Sequence, residues 1–193
     1  MPTPPGKLII LSGPSGAGKS TVLKRVLAQF PRTLRLSISA TTRAPRRGEV
    51  DGIDYYFLAP EEFARRLKAG DFLEACEVFG RGHWYGTLRD EVTPSLKAGV
   101  SVILEIDVDG TDAALSHYPN AVTIFLAPSS LDEVERRLKN RATETPEAID
   151  RRLEVARHEL SLAGKYKHQV LNDEVEAAVE GMIRVLKSEG LQE

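Results

Sequence analysis

This sequence has a single cysteine, no long apolar run and a net charge close to zero. Its one cysteine, Cys76, can form no internal disulfide and no cysteine-rich zinc site. The apolar runs at 8–11 and 102–104 are far shorter than the roughly 18 residues of a membrane-spanning helix, and the N-terminal MPTPPGK lacks the apolar core of a signal peptide. A net charge of −2 argues against non-specific binding to nucleic acid. We therefore expect a soluble cytoplasmic protein with no membrane or nucleic-acid partner.

Apolar residues are plentiful enough for one folded core. The 193 residues, 41% of them hydrophobic, suit a single domain and exclude disorder over most of the chain. Short apolar runs alternate with segments of helical periodicity, which predicts an α/β fold with a mainly parallel sheet. The predicted strands are 7–11, 100–106, 121–126 and 168–171, and the predicted helices are 20–29, 131–140, 147–163 and a terminal one from about 175.

The pattern changes between residues 34 and 87. Short predicted strands at 34–39, 54–58 and 72–79 surround one predicted helix at 61–69. This arrangement predicts a small α+β insertion in the larger fold.

A glycine-rich motif follows the first predicted strand and opens the first predicted helix. It matches GxxxxGK[ST] and consists of Gly13, Pro14, Ser15, Gly16, Ala17, Gly18, Lys19 and Ser20. Its backbone N–H groups and the helix N-terminus can bind phosphate oxygens. Lys19 can reach the β- and γ-phosphates of a nucleotide, and the Ser20 hydroxyl is the natural ligand for Mg²⁺. A plain turn would need neither side chain, yet the motif alone fits a GTPase, an ATPase motor or a small-molecule kinase.

A second cluster of positive charge lies in the segment SISATTRAPRRGE. Arg43, Arg46 and Arg47 share a loop, and Tyr55 and Tyr56 follow it. Arginines beside aromatic rings suit bidentate binding of a second phosphate group. By itself, an arginine run of this kind favours a solvated basic loop over a phosphate site.

The segments GPSGAGKST, SxSxTTRxPRxGEVDGxDYxF, FLE, YGT, LEID and RxxxRxTET occur here in the order found in guanylate kinases, and the sequence resembles that family over residues 8–173. The resemblance implies a P-loop mononucleotide-kinase fold with a parallel five-stranded sheet flanked by helices. It also implies transfer of the ATP γ-phosphoryl group to GMP. The expected parts are a core (1–33, 88–136, 154–193), a GMP-binding insertion (34–87) and a helical lid (137–153).

The resemblance also implies roles for individual residues toward GMP. The residues expected to bind its phosphate are Arg43, Arg46, Tyr55 and Tyr85. The residues expected at its guanine are Ser39, Glu74 and Thr87, and Gly86 is also expected in the GMP site. Chemistry supports this assignment independently, because a carboxylate at Glu74 can accept from guanine N1–H and N2–H₂ together, and the hydroxyls can donate to O6.

The remaining residues implied by the resemblance serve the donor and the transfer. Asp107 is expected near the donor phosphates and GMP, and Thr21 and Asn172 are expected at ATP. Arg137, Arg141 and Arg152 are expected in the lid. Together with Lys19 and Arg43, which lie outside the lid, these three arginines are expected to neutralise charge on the transferring group. The chain departs from the family pattern at Ala142 and Asp109. The helix bearing Glu154, Arg157, His158 and Glu159 has the pattern of a solvated charged face.

Two other functional classes compete with this reading. Guanylate-kinase-like domains of scaffolding proteins bind peptides without catalysis, although they typically lack an intact phosphate loop. A P-loop kinase for phosphorylated sugars would not need Ser39, Glu74 and Thr87 together. Assays with GMP, dGMP, AMP and ribose phosphates would separate these classes.

Overall fold

The computed structural model describes residues 4–77, 82–139 and 146–192, with side chains from residue 149 onward in the last segment. The strands are β1 (Leu8–Ser12), β2 (Leu34–Leu36), β3 (Ser39–Thr41), β4 (Tyr56–Phe57), β5 (Phe72–Glu77), β6 (Trp84–Leu88), β7 (Ser101–Glu105), β8 (Val122–Ala127) and β9 (His168–Leu171). The helices are α1 (Lys19–Leu27), α2 (Pro60–Ala69), α3 (Arg89–Lys97), α4 (Val108–His117), α5 (Leu131–Lys139), α6 (Pro146–Ser161) and α7 (Val175–Ser188), with a short 3-10 helix at Ala163–Lys165.

The larger sheet has five strands in the order β2-β7-β1-β8-β9, and every pairing in it is parallel. All five residues of β1 are buried, as expected for a central strand covered on both faces. Ile9 and Leu11 pack in the cluster that includes α1 and α7, while Leu8 and Ile10 face the cluster that includes α3 and α4. This alternation along one strand confirms the predicted parallel five-stranded core.

The smaller sheet has the order β4-β3-β6-β5, with β6 antiparallel to both of its neighbours. It lies in the predicted insertion, but the predicted strand 34–39 is wrong as a single element. Residues Leu34–Leu36 pair in parallel with β7 in the larger sheet, and only Ser39 begins the strand of the smaller one. Residues 34–36 therefore belong to the larger sheet, and the smaller sheet begins at residue 39.

Strand β6 and helix α3 are among the elements that were not predicted. Strand β6 carries a glycine at its centre, and α3 contains Pro94, so both have weak local signals. Packing decides both: β6 is hydrogen-bonded on its two edges, and Val92 and Leu96 of α3 are buried against the larger sheet. Within the described segments, no helix is both long and apolar enough to cross a membrane.

Candidate active site

The phosphate loop, residues 13–20, follows β1 at the carboxyl edge of the larger sheet. Gly13 has a φ of 147°, and a β-carbon there would lie only 1.9 Å from the carbonyl oxygen of Leu126. Gly18 has a φ of 83°, and its β-carbon would lie 2.6 Å from Nδ2 of Asn172. Both positions therefore require glycine, and the loop passes closely over its support.

Lys19 and Asn172 both donate hydrogen bonds to backbone carbonyl oxygens of this loop. Lys19 Nζ donates to the carbonyl oxygens of Gly13, at 2.5 Å, and Pro14, at 3.3 Å, so the ammonium group lies over the loop. Asn172, which is 1% exposed, donates from Nδ2 to the carbonyl oxygen of Ala17 at 2.6 Å. Asn172, which is expected at ATP, thus also supports the phosphate loop from behind.

Ser20 faces a carboxylate at the end of β7. Its hydroxyl donates to Glu105 Oε1 at 3.0 Å and lies 3.3 Å from Oε2. Hydroxyl and carboxylate oxygens are ligands that Mg²⁺ prefers, and Mg²⁺ commonly takes one or two carboxylates and keeps several waters. The pair therefore fits a Mg²⁺ ion.

Three residues expected at guanine form a row across the smaller sheet, here called the guanine row: Ser39, Thr87 and Glu74. Thr87 on β6 pairs directly with Ser39 on β3 and with Glu74 on β5, which puts the three side chains on one face. Gly86 has no room for a side chain, because a β-carbon there would lie 2.8 Å from the carbonyl oxygen of Glu74. Close strand packing thus brings the row together.

Glu74 is the buried acid of the row, with 6% of its surface exposed. Thr87 donates to its Oε1 at 2.7 Å. The pKa of Glu74 is raised to about 7, because burial and, to a smaller extent, the charge of Asp107 outweigh the Thr87 hydrogen bond, which lowers it. The Thr87 hydroxyl is fully buried and directed at Glu74, so it orients the carboxylate.

Arg43 lies between aromatic rings and an acid. Its guanidinium pairs with both Glu49 carboxylate oxygens, at 3.0 and 2.9 Å, and donates from Nε to the Tyr85 hydroxyl at 3.2 Å. It lies 5.4 Å from the centre of the Tyr55 ring. These contacts hold a mostly buried positive charge beside two cleft-lining tyrosines.

Glu49 was not identified from the sequence, although it follows the arginine run by two residues. It also accepts from the backbone N–H of Arg46 at 2.6 Å. The side chain of Arg46 is exposed and is not among the described residues that line the cleft. The structure therefore brings Arg43, and not Arg46, into the cluster with the two tyrosines.

Asp107 caps the N-terminus of α4. Its Oδ1 accepts from the backbone N–H of Gly110 at 2.8 Å, while burial raises the pKa of its carboxyl group. Cys76 Sγ lies 3.8 Å from both Asp107 oxygens, and burial raises the pKa of the thiol. Asp109, one of the departures from the family pattern, is exposed two residues further along the chain.

Two of the three expected lid arginines are described. Arg137 donates from Nε to Glu133 at 2.6 Å and from Nη2 to the carbonyl oxygen of Asn172 at 2.7 Å, which places it beside the phosphate loop. Arg152 is partly buried on α6. Arg141 and Ala142 lie outside the described residues.

The prediction of a solvated face on α6 is wrong for Glu159. This residue is 5% exposed and lines the cleft together with the phosphate loop. Its neighbours Arg157 and His158 are exposed, as expected. Helical spacing shows which residue of α6 faces the core only when the packing partner of the helix is known. The charge of Glu159 alone predicted that its side chain would face solvent.

One cleft of about 270 Å³ joins these groups. Its lining includes Gly13, Ser15 and Lys19 from the phosphate loop, Ser39, Glu74, Tyr85 and Gly86 from the smaller sheet, Tyr55, and the acids Glu105, Asp107 and Glu159. A phosphate-binding loop therefore opens onto the same space as a carboxylate and aromatic pocket. This arrangement suits transfer between two bound phosphorylated ligands.

The geometry has counterparts among known proteins. The family model described as guanylate kinase matches residues 5–189. A guanylate kinase of Rhodopirellula baltica is 50% identical over 184 residues, covering 94% of this chain and 88% of that protein. One from Gloeobacter violaceus is 48% identical over 187 residues, covering 96% and 89%. The crystal structure of guanylate kinase from Anaplasma phagocytophilum has a TM-score of 0.76 at 31% identity, covering 98% of this chain and 88% of that one.

Proposed function

The chain belongs to the guanylate kinase family and phosphorylates GMP to GDP with ATP, and we propose that it does so in the cleft between the phosphate loop and the smaller sheet. One observation carries the assignment of the site. Residues of the phosphate loop and two residues of the guanine row, Ser39 and Glu74, line the same cleft, so donor and acceptor nucleotides can meet there.

In this proposal the phosphate loop, residues 13–20, binds the ATP phosphates. Backbone N–H groups and the N-terminus of α1 face the phosphates, and Lys19 turns its ammonium group from the loop carbonyls toward the γ-phosphate. Ser20 and Glu105 would hold Mg²⁺, which neutralises phosphate charge when bound. Thr21 and Asn172 complete the ATP side.

The acceptor side recognises phosphate and base separately. Arg43, Tyr55 and Tyr85 bind the GMP phosphate, with Arg46 expected to reach it from the rim. Ser39 and Glu74 contact the guanine, and Thr87 orients Glu74. The deoxyribose of dGMP changes neither set of contacts, so dGMP is proposed as a second acceptor.

Transfer itself needs charge neutralisation more than proton transfer. The attacking GMP phosphate oxygen is already ionised at neutral pH, because the second pKa of a phosphate monoester is about 6. Lys19 and the lid residues Arg137, Arg141 and Arg152 balance the charge of the group in flight, and closure of the lid excludes water that would otherwise hydrolyse ATP. We retain 137–153 as the lid and place the GMP-binding part at 37–87. We propose a cytoplasmic location, because both substrates are cytoplasmic metabolites.

A coupled assay of ADP formation tests the proposal with GMP, dGMP, AMP and ribose 5-phosphate as acceptors. We expect activity with GMP and dGMP in the presence of Mg²⁺. Lys19→Met should lower kcat by about 10²-fold or more, because one positive charge on the transferring group is lost. The matched control is Lys24→Met, which removes an exposed lysine of the same helix and should retain activity. Equal rates in the two variants would refute the role of Lys19.

A further inference from the structure

Glu159 is a buried acid to which the mechanism above gives no role. It comes from α6 and reaches the cleft beside Ser15 and Lys19 of the phosphate loop. Its Oε2 is closed to solvent and has no hydrogen-bond partner among the described residues. A buried carboxyl oxygen without a partner is costly, so its retention beside a ligand loop points to a group supplied by the ligand.

The surroundings of Glu159 balance its two protonation states. Lys19 and the backbone N–H of Ser15 favour the charged form, whereas burial and the charges of Asp107 and Asp109 favour the neutral form. Burial dominates and raises the pKa of Glu159 to about 7. The ionisable side chains along the adjoining groove are Glu77, Glu154 and His158.

We infer that Glu159 binds the donor nucleotide: its protonated carboxyl group donates a hydrogen bond to a phosphate oxygen of ATP in the phosphate loop. The inference rests on the proposed ATP site. Phosphate negative charge close to a carboxylate favours the neutral acid, so a proton from solvent is taken up when ATP binds to the ionised form. The O–H group of the protonated acid then donates to ATP, which gives the unpartnered oxygen of Glu159 a hydrogen-bond partner.

The position of Glu159 also gives this bond a structural consequence. The residue lies seven positions after Arg152 on the same helix, which is two helical turns or about 10 Å. A contact between Glu159 and ATP therefore holds the C-terminal part of α6, the helix that also carries the lid residue Arg152. ATP binding and the position of the lid helix become linked through one side chain.

Isothermal titration calorimetry of Mg²⁺-ATP binding at pH 8 tests the inference. Runs in buffers of different ionisation enthalpy give the number of protons exchanged. At this pH the γ-phosphate of ATP is already ionised, and about nine-tenths of Glu159 is charged in the free protein. We expect uptake of about 0.9 proton per ATP by the unaltered protein, and ATP affinity about 15-fold lower at pH 8.5 than at pH 7.

Three variants separate hydrogen bonding from loss of charge. Glu159→Gln keeps a donor and cannot ionise, so its ATP affinity should be independent of pH and its proton uptake should vanish. Glu159→Met has similar size but no donor, and it should bind ATP about tenfold more weakly than Glu159→Gln. Glu154→Gln makes the same charge change at an exposed position of α6 and should keep the proton uptake of the unaltered protein.

The outcomes distinguish this inference from the proposed function. ATP binding and GMP phosphorylation without proton uptake at pH 8 would overturn the role of Glu159 and leave the proposed function intact. Equal ATP affinities of Glu159→Gln and Glu159→Met would overturn the hydrogen bond. Failure of the unaltered protein to bind ATP would overturn the proposed ATP site as well. The proton count on the unaltered protein decides the inference even where a variant does not fold.

Discussion

GMP affinity should follow the ionisation of Glu74. Guanine presents N1–H and N2–H₂ as donors, so the carboxylate must be charged to accept both. Burial raises the pKa of Glu74 to about 7 in the free protein. The ionised fraction is then about 0.1 at pH 6 and about 0.9 at pH 8. We therefore expect the Kd for GMP to fall about tenfold between these two pH values and to level off above pH 8.

The Thr87 hydroxyl helps to determine the pH at which Glu74 ionises. Its hydrogen bond to Glu74 Oε1, at 2.7 Å, stabilises the charged form and lowers the pKa. A hydrogen bond to a charged group contributes about 1.5–3 kcal/mol, and one pH unit corresponds to about 1.36 kcal/mol. Thr87→Val, which keeps the shape of the side chain, should move the midpoint upward by at least about one pH unit. At pH 7 it should weaken GMP binding about fivefold.

The assay is calorimetric titration of GMP without ATP, from pH 5.5 to pH 9. Glu74→Gln is one control, because it retains the titration of the GMP phosphate itself and should lose the transition near pH 7. Thr41→Val is the second control, since Thr41 is a buried threonine of the same sheet that donates to the carbonyl oxygen of Trp84. It should leave the midpoint unchanged whatever its effect on affinity.

Two results would refute the reasoning. If Thr87→Val kept the midpoint of the unaltered protein, the hydroxyl would not control the ionisation of Glu74. If GMP bound more tightly at pH 6 than at pH 8, guanine would be recognised by the protonated acid or by another residue. Ser39, paired with Thr87 across the sheet, would then be the first candidate.

The remaining predictions concern the phosphates, the metal and stability. Arg43→Ala should raise the KM for GMP about 10- to 150-fold and change the KM for ATP little. The control variant Arg47→Ala should change neither KM. Equal increases of both KM values would show that Arg43 does not bind the GMP phosphate alone. Ser20→Ala should raise the Mg²⁺ concentration needed for half-maximal activity, and an unchanged Mg²⁺ titration would exclude the Ser20 site. Because the folded-state pKa of Glu74 lies above its unfolded value of 4.5, ionisation destabilises the fold progressively as pH rises through about 7. Glu74→Gln should therefore increase the free energy of unfolding by about 3 kcal/mol at pH 8 and by little below pH 4.5, as measured by urea denaturation.

Much of the fold followed from local patterns. The central strands are continuous apolar runs and the main helices have clear periodicity, so their existence and the parallel sheet were predictable. Strand β6 and helix α3 were not predictable, because a central glycine in one and Pro94 in the other weaken the local signal. Residues 34–39 read as one strand, yet the backbone leaves the larger sheet after Leu36 and enters the smaller one at Ser39. That division is made by hydrogen-bond partners distant in sequence.

By itself, the sequence determined the phosphate loop, because its glycines, Lys19 and Ser20 act within eight consecutive residues and their spacing dictates the local geometry. The tertiary structure decided the surroundings of each charge. Strand register joins Thr87 to Glu74, the end of β7 brings Glu105 to Ser20, and the packing of α6 buries Glu159 against the loop. Burial and partners set pKa values and orientation, and both depend on residues far apart in the chain that only the folded core brings within hydrogen-bond distance.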